Sequence, residues 1–268
     1  MICKEMEIKA RAYVEGLLGR GRHTFTRAEA RASLKSSPVA VYHSLRRLRK
    51  NGWLAMPRSG FYLIVDPEHR KMGVLPPTSW IDDLMRFHGV EYYVGLLSAA
   101  AIHGAAHQSP QEFQVVAGAV LRSLTVGRAR IRFFFRRRME LAVTEPVKTA
   151  SGHMPVSTPE MTAYDLVRYR KGAGSLDHVA AVLAELAERL DSGRLIAVAK
   201  RGEEWPVVQR LGYLLDRIGH PGLSGGLARL VRARKPGAVR LDPRGSGAAL
   251  THNAKWNVRV NTAIEVEP

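Results

Sequence analysis

In the first quarter of the chain, the spacing of hydrophobic residues is first typical of helices and then typical of strands. Helical spacing predicts three helices, of which the third, over about 38–51, is the best defined. Two apolar runs on either side of a turn at 57–60 then predict a β-hairpin. Three helices followed by a hairpin is the order of a winged helix-turn-helix, which we predict over residues 1–66.

The third predicted helix has one apolar and one basic face. Val41, Leu45 and Leu48 fall at i, i+4 and i+7, which predicts a buried stripe. A basic helix of this kind fits the major groove, where arginine reads guanine edges and small residues allow close approach. The residues that this interpretation assigns to DNA binding are Ser36, Ser37, Pro38, Ala40, Tyr42, His43, Arg46, Arg47 and Lys50, with Arg58 and Ser59 at the tip of the hairpin.

Charge supports an anionic partner for this region. Residues 1–66 hold 13 basic and 5 acidic side chains, so they carry +8 of the chain's net charge of +17. Neutralising phosphates releases condensed counterions, which favours a nucleic acid as partner, and we expect duplex DNA. Two alternatives stay open, because a basic helix face is often only solvated and winged helices also dock RNA or proteins without operator specificity.

The remaining sequence predicts a second domain. Prolines favour an extended linker over 67–77, and mixed strand and helix patterns follow over 78–268. We therefore predict an α+β protein, in which the winged helix precedes a larger α/β domain with a mixed sheet and packed helices. The elements expected after the linker are helices at 80–87 (capped by Ser79), 91–103, 157–169, 177–190 (stopped by Gly193) and 206–218, and strands at 113–116, 128–135, 239–241 and 256–261.

One predicted strand carries a row of arginines. Strand alternation places Arg128, Arg130 and Arg132 on one face, opposite Ala129, Ile131 and Phe133, and Arg136, Arg137 and Arg138 add charge at its end. The arginine face is either the solvated side of a half-buried sheet or a second surface for an anionic partner.

Nothing in the sequence predicts catalysis. Cys3 is the only cysteine, and His103 and His107 have helical zinc-ligand spacing without an evident third ligand. Paired carboxylates in the Asp-x-Asp pattern are lacking, so we expect no catalytic residue, metal or cofactor. No apolar run is long enough for a membrane span and the N-terminus does not resemble a signal peptide, so we expect a cytoplasmic protein without a membrane partner.

Several segments resemble AbiEi-type antitoxins of type IV toxin–antitoxin (abortive infection) systems. They are Gly60–Ile64, Tyr92–Ala100, Ile102–Gln108, Val156–Val167, Arg210–Leu215 and Trp256–Asn261. The resemblance implies an N-terminal domain that represses its own operon by binding inverted repeats in its promoter, and a C-terminal antitoxin domain. It also implies a nucleotidyltransferase-like toxin as functional partner, but no obligatory stable complex, so direct binding stays open. Within this interpretation, Arg128, Arg130 and Arg132 form a possible antitoxin surface.

Overall fold

A three-helix unit with a small sheet opens the fold. The computed structural model describes residues 2–105, 110–245 and 251–264. The first unit consists of α1 (Ile2–Leu18), β1 (Thr24–Thr26), α2 (Arg27–Leu34), α3 (Pro38–Lys50), β2 (Leu54–Arg58) and β3 (Phe61–Ile64). The strands pair antiparallel in the order β1-β3-β2. This is the element order predicted for residues 1–66.

Local signals fix the ends of the two central helices of this unit. The Thr26 hydroxyl accepts from the Glu29 N–H at 3.2 Å and the Glu29 carboxylate accepts from the Thr26 N–H at 2.6 Å, which completes the capping box of α2. Lys35 ends α2 in the left-handed conformation, with φ of 44°. The Ser37 hydroxyl then accepts from the Ala40 N–H at 3.3 Å, so α3 begins within one short turn of α2.

The segment that follows the hairpin is not an extended linker, and this prediction is wrong. Residues 67–73 form turns, and Asp66 accepts from the His69 N–H at 3.0 Å. Val74 and Leu75 are buried, and the Leu75 carbonyl accepts from the Trp80 indole at 3.0 Å. The segment folds back because Val74 and Leu75 are buried in a hydrophobic core.

The two halves of the chain share that core. One cluster unites Ala55, Phe61, Leu63 and Val65 of the hairpin region with buried residues of the second half, among them Val74, Leu75, Trp80, Ile81, Leu84 and Met85. One side of the hairpin therefore packs against α1, α2 and α3, and its other side packs against the second half of the chain.

A six-stranded mixed sheet forms the centre of the second half. Its elements are α4 (Ile81–His88), β4 (Tyr92–Val94), α5 (Leu96–Ile102), β5 (Phe113–Ala117), β6 (Leu124–Val126), β7 (Ala129–Phe135), β8 (Thr144–Thr149) and β9 (Gly152–Ser157). The strand order is β6-β7-β5-β4-β9-β8. The pairs β5/β7 and β4/β9 are parallel, and the other neighbours are antiparallel.

A helical layer and a small second sheet complete the fold. The helices are α6 (Pro159–Arg168), α7 (Arg170–Ala173), α8 (Leu176–Leu186), α9 (Ser192–Gly202), α10 (Trp205–Arg217) and α11 (Pro221–Arg234). The strands β10 (Val239–Arg240), β11 (Thr251–Asn253) and β12 (Val258–Val260) pair in the order β10-β12-β11. The α+β class with a mixed sheet and packed helices is confirmed.

Several element boundaries differ from the prediction. The helix expected over 91–103 is strand β4 followed by α5, because a short apolar run does not by itself distinguish the two. Ser79 lies in a 3-10 turn and does not cap α4. Gly193 lies inside α9 instead of ending the helix before it. The hairpin β8–β9 and helices α9 and α11 were not predicted.

Candidate nucleic-acid interface

Helix α3 lies on α1 through the predicted apolar stripe. Val41, Leu45 and Leu48 are buried and belong to the same cluster as Val14 and Leu17 of α1, which confirms the stripe. The buried Ser44 hydroxyl donates to the Ala40 carbonyl at 3.0 Å, so it needs no partner outside the helix. This packing fixes which face of α3 points into solvent.

The outward face of α3 is basic, with apolar residues among the charges. His43, Arg46 and Lys50 are exposed, and Val39 and Tyr42 are 64% and 45% exposed. Among the described residues, neither Arg46 nor Lys50 forms an ion pair. Because the sequence contains no acidic residue between Glu29 and Asp66, the charge of this face is not neutralised by its own segment.

The turn before α3 lies at one end of this face. Ser37 and Pro38 are exposed, and Ser36 and Ala40 are half-buried. The first turn of a helix carries unpaired N–H groups and a partial positive charge, which favour a phosphate oxygen nearby. The predicted residues of the turn and of the outward face therefore lie together on one surface.

Arg47 lies on the side of α3 that faces α1. Its guanidinium Nη1 is 3.4 Å from Glu7 Oε2, and both side chains are partly buried. Unlike Arg46, Arg47 therefore has a carboxylate partner on α1, and its assignment to DNA binding stays a prediction.

On the side of α3 away from Arg47, side chains from α2 and β2 lie close to the helix. The sequence did not single out these contacts. The guanidinium of Arg27 on α2 lies 6.0 Å from the ring of Tyr42. Arg49 Nη1 lies 3.7 Å from Met56 Sδ on β2. A helical wheel of α3 alone places Arg49 on this side, but the approach of Arg27 depends on the packing of α2.

The tip of the hairpin is not free. The Arg58 guanidinium donates to the backbone carbonyl of Arg122, and its pKa is lowered by burial and by the charge of Arg122. The neighbouring ring of Phe61 lies 5.4 Å from that of Phe87. Ser59 is exposed. The second half of the chain therefore contacts Arg58 at the hairpin tip, and the assignment of Arg58 and Ser59 to DNA binding stays a prediction.

The arginine row of β7 divides between two cavities. Ile131 is buried, which confirms the predicted alternation, although Arg128 precedes the strand. Arg128 and Arg130 are exposed and line a cavity of about 550 Å³ beside residues 72–77. Arg132 lines a second cavity of about 530 Å³ and pairs with Glu112 at 3.4 Å. Arg132 therefore differs from Arg128 and Arg130 in being half-buried and paired with a carboxylate.

Arg136 is a buried residue, in contrast to its expected role as surface charge. It is 2% exposed, and its Nη1 lies 3.4 Å from Asp165 Oδ1, while the Tyr93 hydroxyl donates to Asp165 Oδ2 at 2.7 Å. Burial raises the pKa of Asp165 to about 6 against the opposing effect of Arg136. This pair joins the end of β7 to α6 and leaves Arg137 and Arg138 exposed.

The histidine pair considered for metal binding is only partly described. His103 Nε2 lies 2.7 Å from the Ser157 carbonyl oxygen, and His107 lies outside the described residues. No group of three or more His, Cys, Asp or Glu side chains that could hold a metal ion occurs in the described part of the chain. None of the described helices has the length and apolar character of a membrane span.

A solved structure of low sequence identity shares this architecture. The solved structure of the RV2827C protein from Mycobacterium tuberculosis shares the fold, with a TM-score of 0.69 at 18% identity over 94% of this chain and 90% of that one. An antigenic nucleotidyltransferase-like protein from Paracoccidioides brasiliensis aligns with a TM-score of 0.38 at 9% identity, over 56% of this chain and 89% of that one. A comparison with curated proteins gives no match.

Family models match both halves of the chain. Residues 17–65 match the model described as "Transcriptional regulator, AbiEi antitoxin", and residues 93–217 match that of the "AbiEi antitoxin C-terminal domain". The two matches cover most of the chain and follow the order of its two halves. The chain belongs to the AbiEi antitoxin family of transcriptional regulators.

Proposed function

We propose that this protein represses its own operon by binding duplex DNA at inverted repeats in its promoter, and that it counteracts a nucleotidyltransferase-like toxin. The observation that carries the DNA-binding part is the outward face of α3. There, exposed Arg46 and Lys50 stand without acidic partners among the described residues. A rigid basic helix on a packed scaffold is the element that reads the major groove in helix-turn-helix proteins.

The contacts divide by position on α3. Arg46 lies at the centre of the outward face, where a guanidinium can pair with the O6 and N7 atoms of guanine. Lys50 and the exposed Ser37 lie toward the two ends, where the phosphate backbone passes. Because Arg47 pairs with Glu7 and Arg58 donates to the Arg122 carbonyl, these two arginines contribute less than Arg46.

The antitoxin part of the proposal rests on the family of the C-terminal match. Arg128 and Arg130 are the candidate antitoxin surface, because both are exposed and line one cavity. Arg132 is a weaker candidate, since it pairs with Glu112. Direct contact with the toxin stays open, this chain carries out no catalytic step, and it acts in the cytoplasm.

A titration of the full chain with labelled duplexes tests the DNA-binding part. We expect tighter binding to the chain's own promoter than to a scrambled duplex, and an affinity that falls with salt at about −0.9 in log–log slope per neutralised phosphate. Equal binding to both duplexes at moderate salt would contradict operator recognition. It would favour the alternative of a winged helix that binds RNA or a protein partner.

A further inference from the structure

A second basic surface lies far along the chain from α3, in the cavity of about 530 Å³ that Arg132 lines. Its wall contains six basic side chains, which are Arg132, Arg168, Arg170, Lys171, Arg210 and Arg244. Three of them have carboxylate partners, since Arg132 pairs with Glu112, Arg168 with Glu204 and Arg170 with Asp242. The cavity therefore holds more positive than negative charge.

The other three cations form no salt bridge among the described residues, although the charge of Asp242, the partner of Arg170, also acts on Arg210. Lys171 and Arg244 are exposed. Arg210 donates through Nε to the Arg240 carbonyl at 2.9 Å and through Nη1 to the Pro206 carbonyl at 3.2 Å. These backbone groups fix its position, and they leave its charge without a direct salt bridge.

Aromatic rings line the same cavity. Phe134 and Tyr169 lie with ring centroids 5.5 Å apart, and the guanidinium groups of Arg132 and Arg168 lie 5.2 Å and 5.0 Å from the rings of Phe134 and Tyr169. Phe135, at the end of β7, is 46% exposed. An exposed ring in the wall of the same cavity as these cations offers a stacking surface for a base.

Close packing of α7 holds this wall together. A Cβ atom at Gly172 would overlap the ring of Phe134, and the Gly172 carbonyl accepts from Gln114 Nε2 at 2.7 Å. Helix α7, which carries Arg170 and Lys171, is thereby pinned against β5 and β7. The cations and the rings keep a fixed spacing, which lowers the entropy lost when a ligand binds.

Further arginines lie beside the cavity. Arg168 also lines a neighbouring cavity, whose wall includes the exposed Arg137 and Arg138 together with Glu140 and Glu204. A single phosphate group would contact only a few of these side chains, whereas a strand of several nucleotides would extend across both cavities.

We propose that this cavity binds a nucleotide through its phosphate and its base, and that the nucleotide belongs to a single-stranded nucleic acid. The phosphates contact Lys171, Arg210 and Arg244, and a base stacks on Phe135. The site is separate from α3, so one chain holds a duplex at its N-terminal unit and a single strand at its second half.

The test uses the full chain with two probes, which are a fluorescent single-stranded eight-nucleotide oligothymidylate and ATP. Lys171→Gln with Arg244→Gln removes two exposed cations and should weaken oligothymidylate binding about tenfold and lower its salt slope by about 0.7 per lost phosphate contact. Phe135→Ser should weaken binding by roughly five- to 150-fold, the range for loss of one stacked base. Arg229→Gln with Arg232→Gln, two exposed cations on α11 outside both cavities, is the matched control and should leave binding unchanged.

Two further comparisons fix the location and the source of the nucleotide. Arg46→Ala with Lys50→Ala on α3 should leave oligothymidylate binding intact, and the Lys171/Arg244 variant should leave duplex binding intact, so that failure of either proposal is distinguishable. Competition by ATP at equal affinity would assign the site to a free nucleotide within the same chemistry. No binding of either probe, or equal loss in the α11 control, would overturn the proposal. Binding of polyglutamate with no effect of Phe135→Ser would also overturn it, since the surface would then select for charge alone.

Discussion

The ring of Phe61 in the hairpin lies 5.4 Å from the ring of Phe87 in α4, with an angle of 41° between the two planes. This contact joins the N-terminal unit to the sheet half of the chain. Phe61 also belongs to the cluster in which hairpin residues and Trp80, Ile81 and Leu84 bury one another. Contacts within the protein therefore fix the position of the hairpin before any DNA binds.

We expect Phe61→Ala to destabilise the whole chain. Phe61 is buried in the shared cluster, and truncation of a buried phenylalanine costs about 3–5 kcal/mol in the free energy of unfolding. Phe87→Ala is the matched control and should cost less, because that ring is 41% exposed. Denaturant unfolding measures both. Two separate transitions in the wild type, with only the first shifted by Phe61→Ala, would show that the halves do not share a core.

The buried pair of Arg136 and Asp165 gives a prediction with a definite pH dependence. The pKa of Asp165 is raised to about 6, so its contribution to stability is present below its unfolded pKa of about 3.9 and is lost as the pH rises through 6. Arg136→Met removes the cation that opposes this rise, and loss of one partner of a buried pair costs about 3–5 kcal/mol. We expect the deficit of the variant to be larger at pH 7 than at pH 5.

Arg137→Met is the control for this experiment, since Arg137 is the exposed neighbour. It should show no deficit that changes between the two pH values. A deficit of Arg136→Met that is equal at pH 5 and pH 7, or larger at pH 5, would contradict the assignment to Asp165.

Two helical glycines differ in the space around them, which predicts opposite effects when each is replaced by alanine. A Cβ at Gly212 would overlap the buried Trp256 ring, so Gly212→Ala should destabilise the chain by about 1–3 kcal/mol. Gly225 on α11 has no atom within 4 Å of such a Cβ, and Gly225→Ala should stabilise it by about 0.5–1 kcal/mol. Thermal unfolding of both variants decides the matter. Destabilisation by both would argue against this placement of Trp256.

The proposed antitoxin surface at Arg128 and Arg130 predicts a separation of activities. Arg128→Gln with Arg130→Gln should reduce growth rescue during toxin expression and leave promoter binding and thermal unfolding unchanged, because both side chains are exposed and distant in sequence from α3. The α11 pair Arg229→Gln with Arg232→Gln should rescue fully. Full rescue by the Arg128/Arg130 variant would show that this face is only solvated.

The sequence predicts α3 well because its signals are local. The stripe of Val41, Leu45 and Leu48 and the cap at Ser37 all lie within one helix length. The roles of Arg58 and Arg136 could not be predicted, because their partners Arg122 and Asp165 are 64 and 29 residues away in sequence. A run of three arginines does not reveal which of them is buried.

The most direct test of DNA binding by α3 is a footprint of the full chain, and of its arginine variants, on its own promoter. We expect protection of both inverted repeats by the wild type, and a loss of about 1–3 kcal/mol in binding for Arg46→Ala, because that residue faces outward without an ion pair among the described residues. Arg47→Ala and Arg58→Ala should have smaller effects, since their guanidinium groups contact Glu7 and the Arg122 carbonyl. Unchanged protection by Arg46→Ala with Lys50→Ala would contradict the central claim that the outward face of α3 reads the operator.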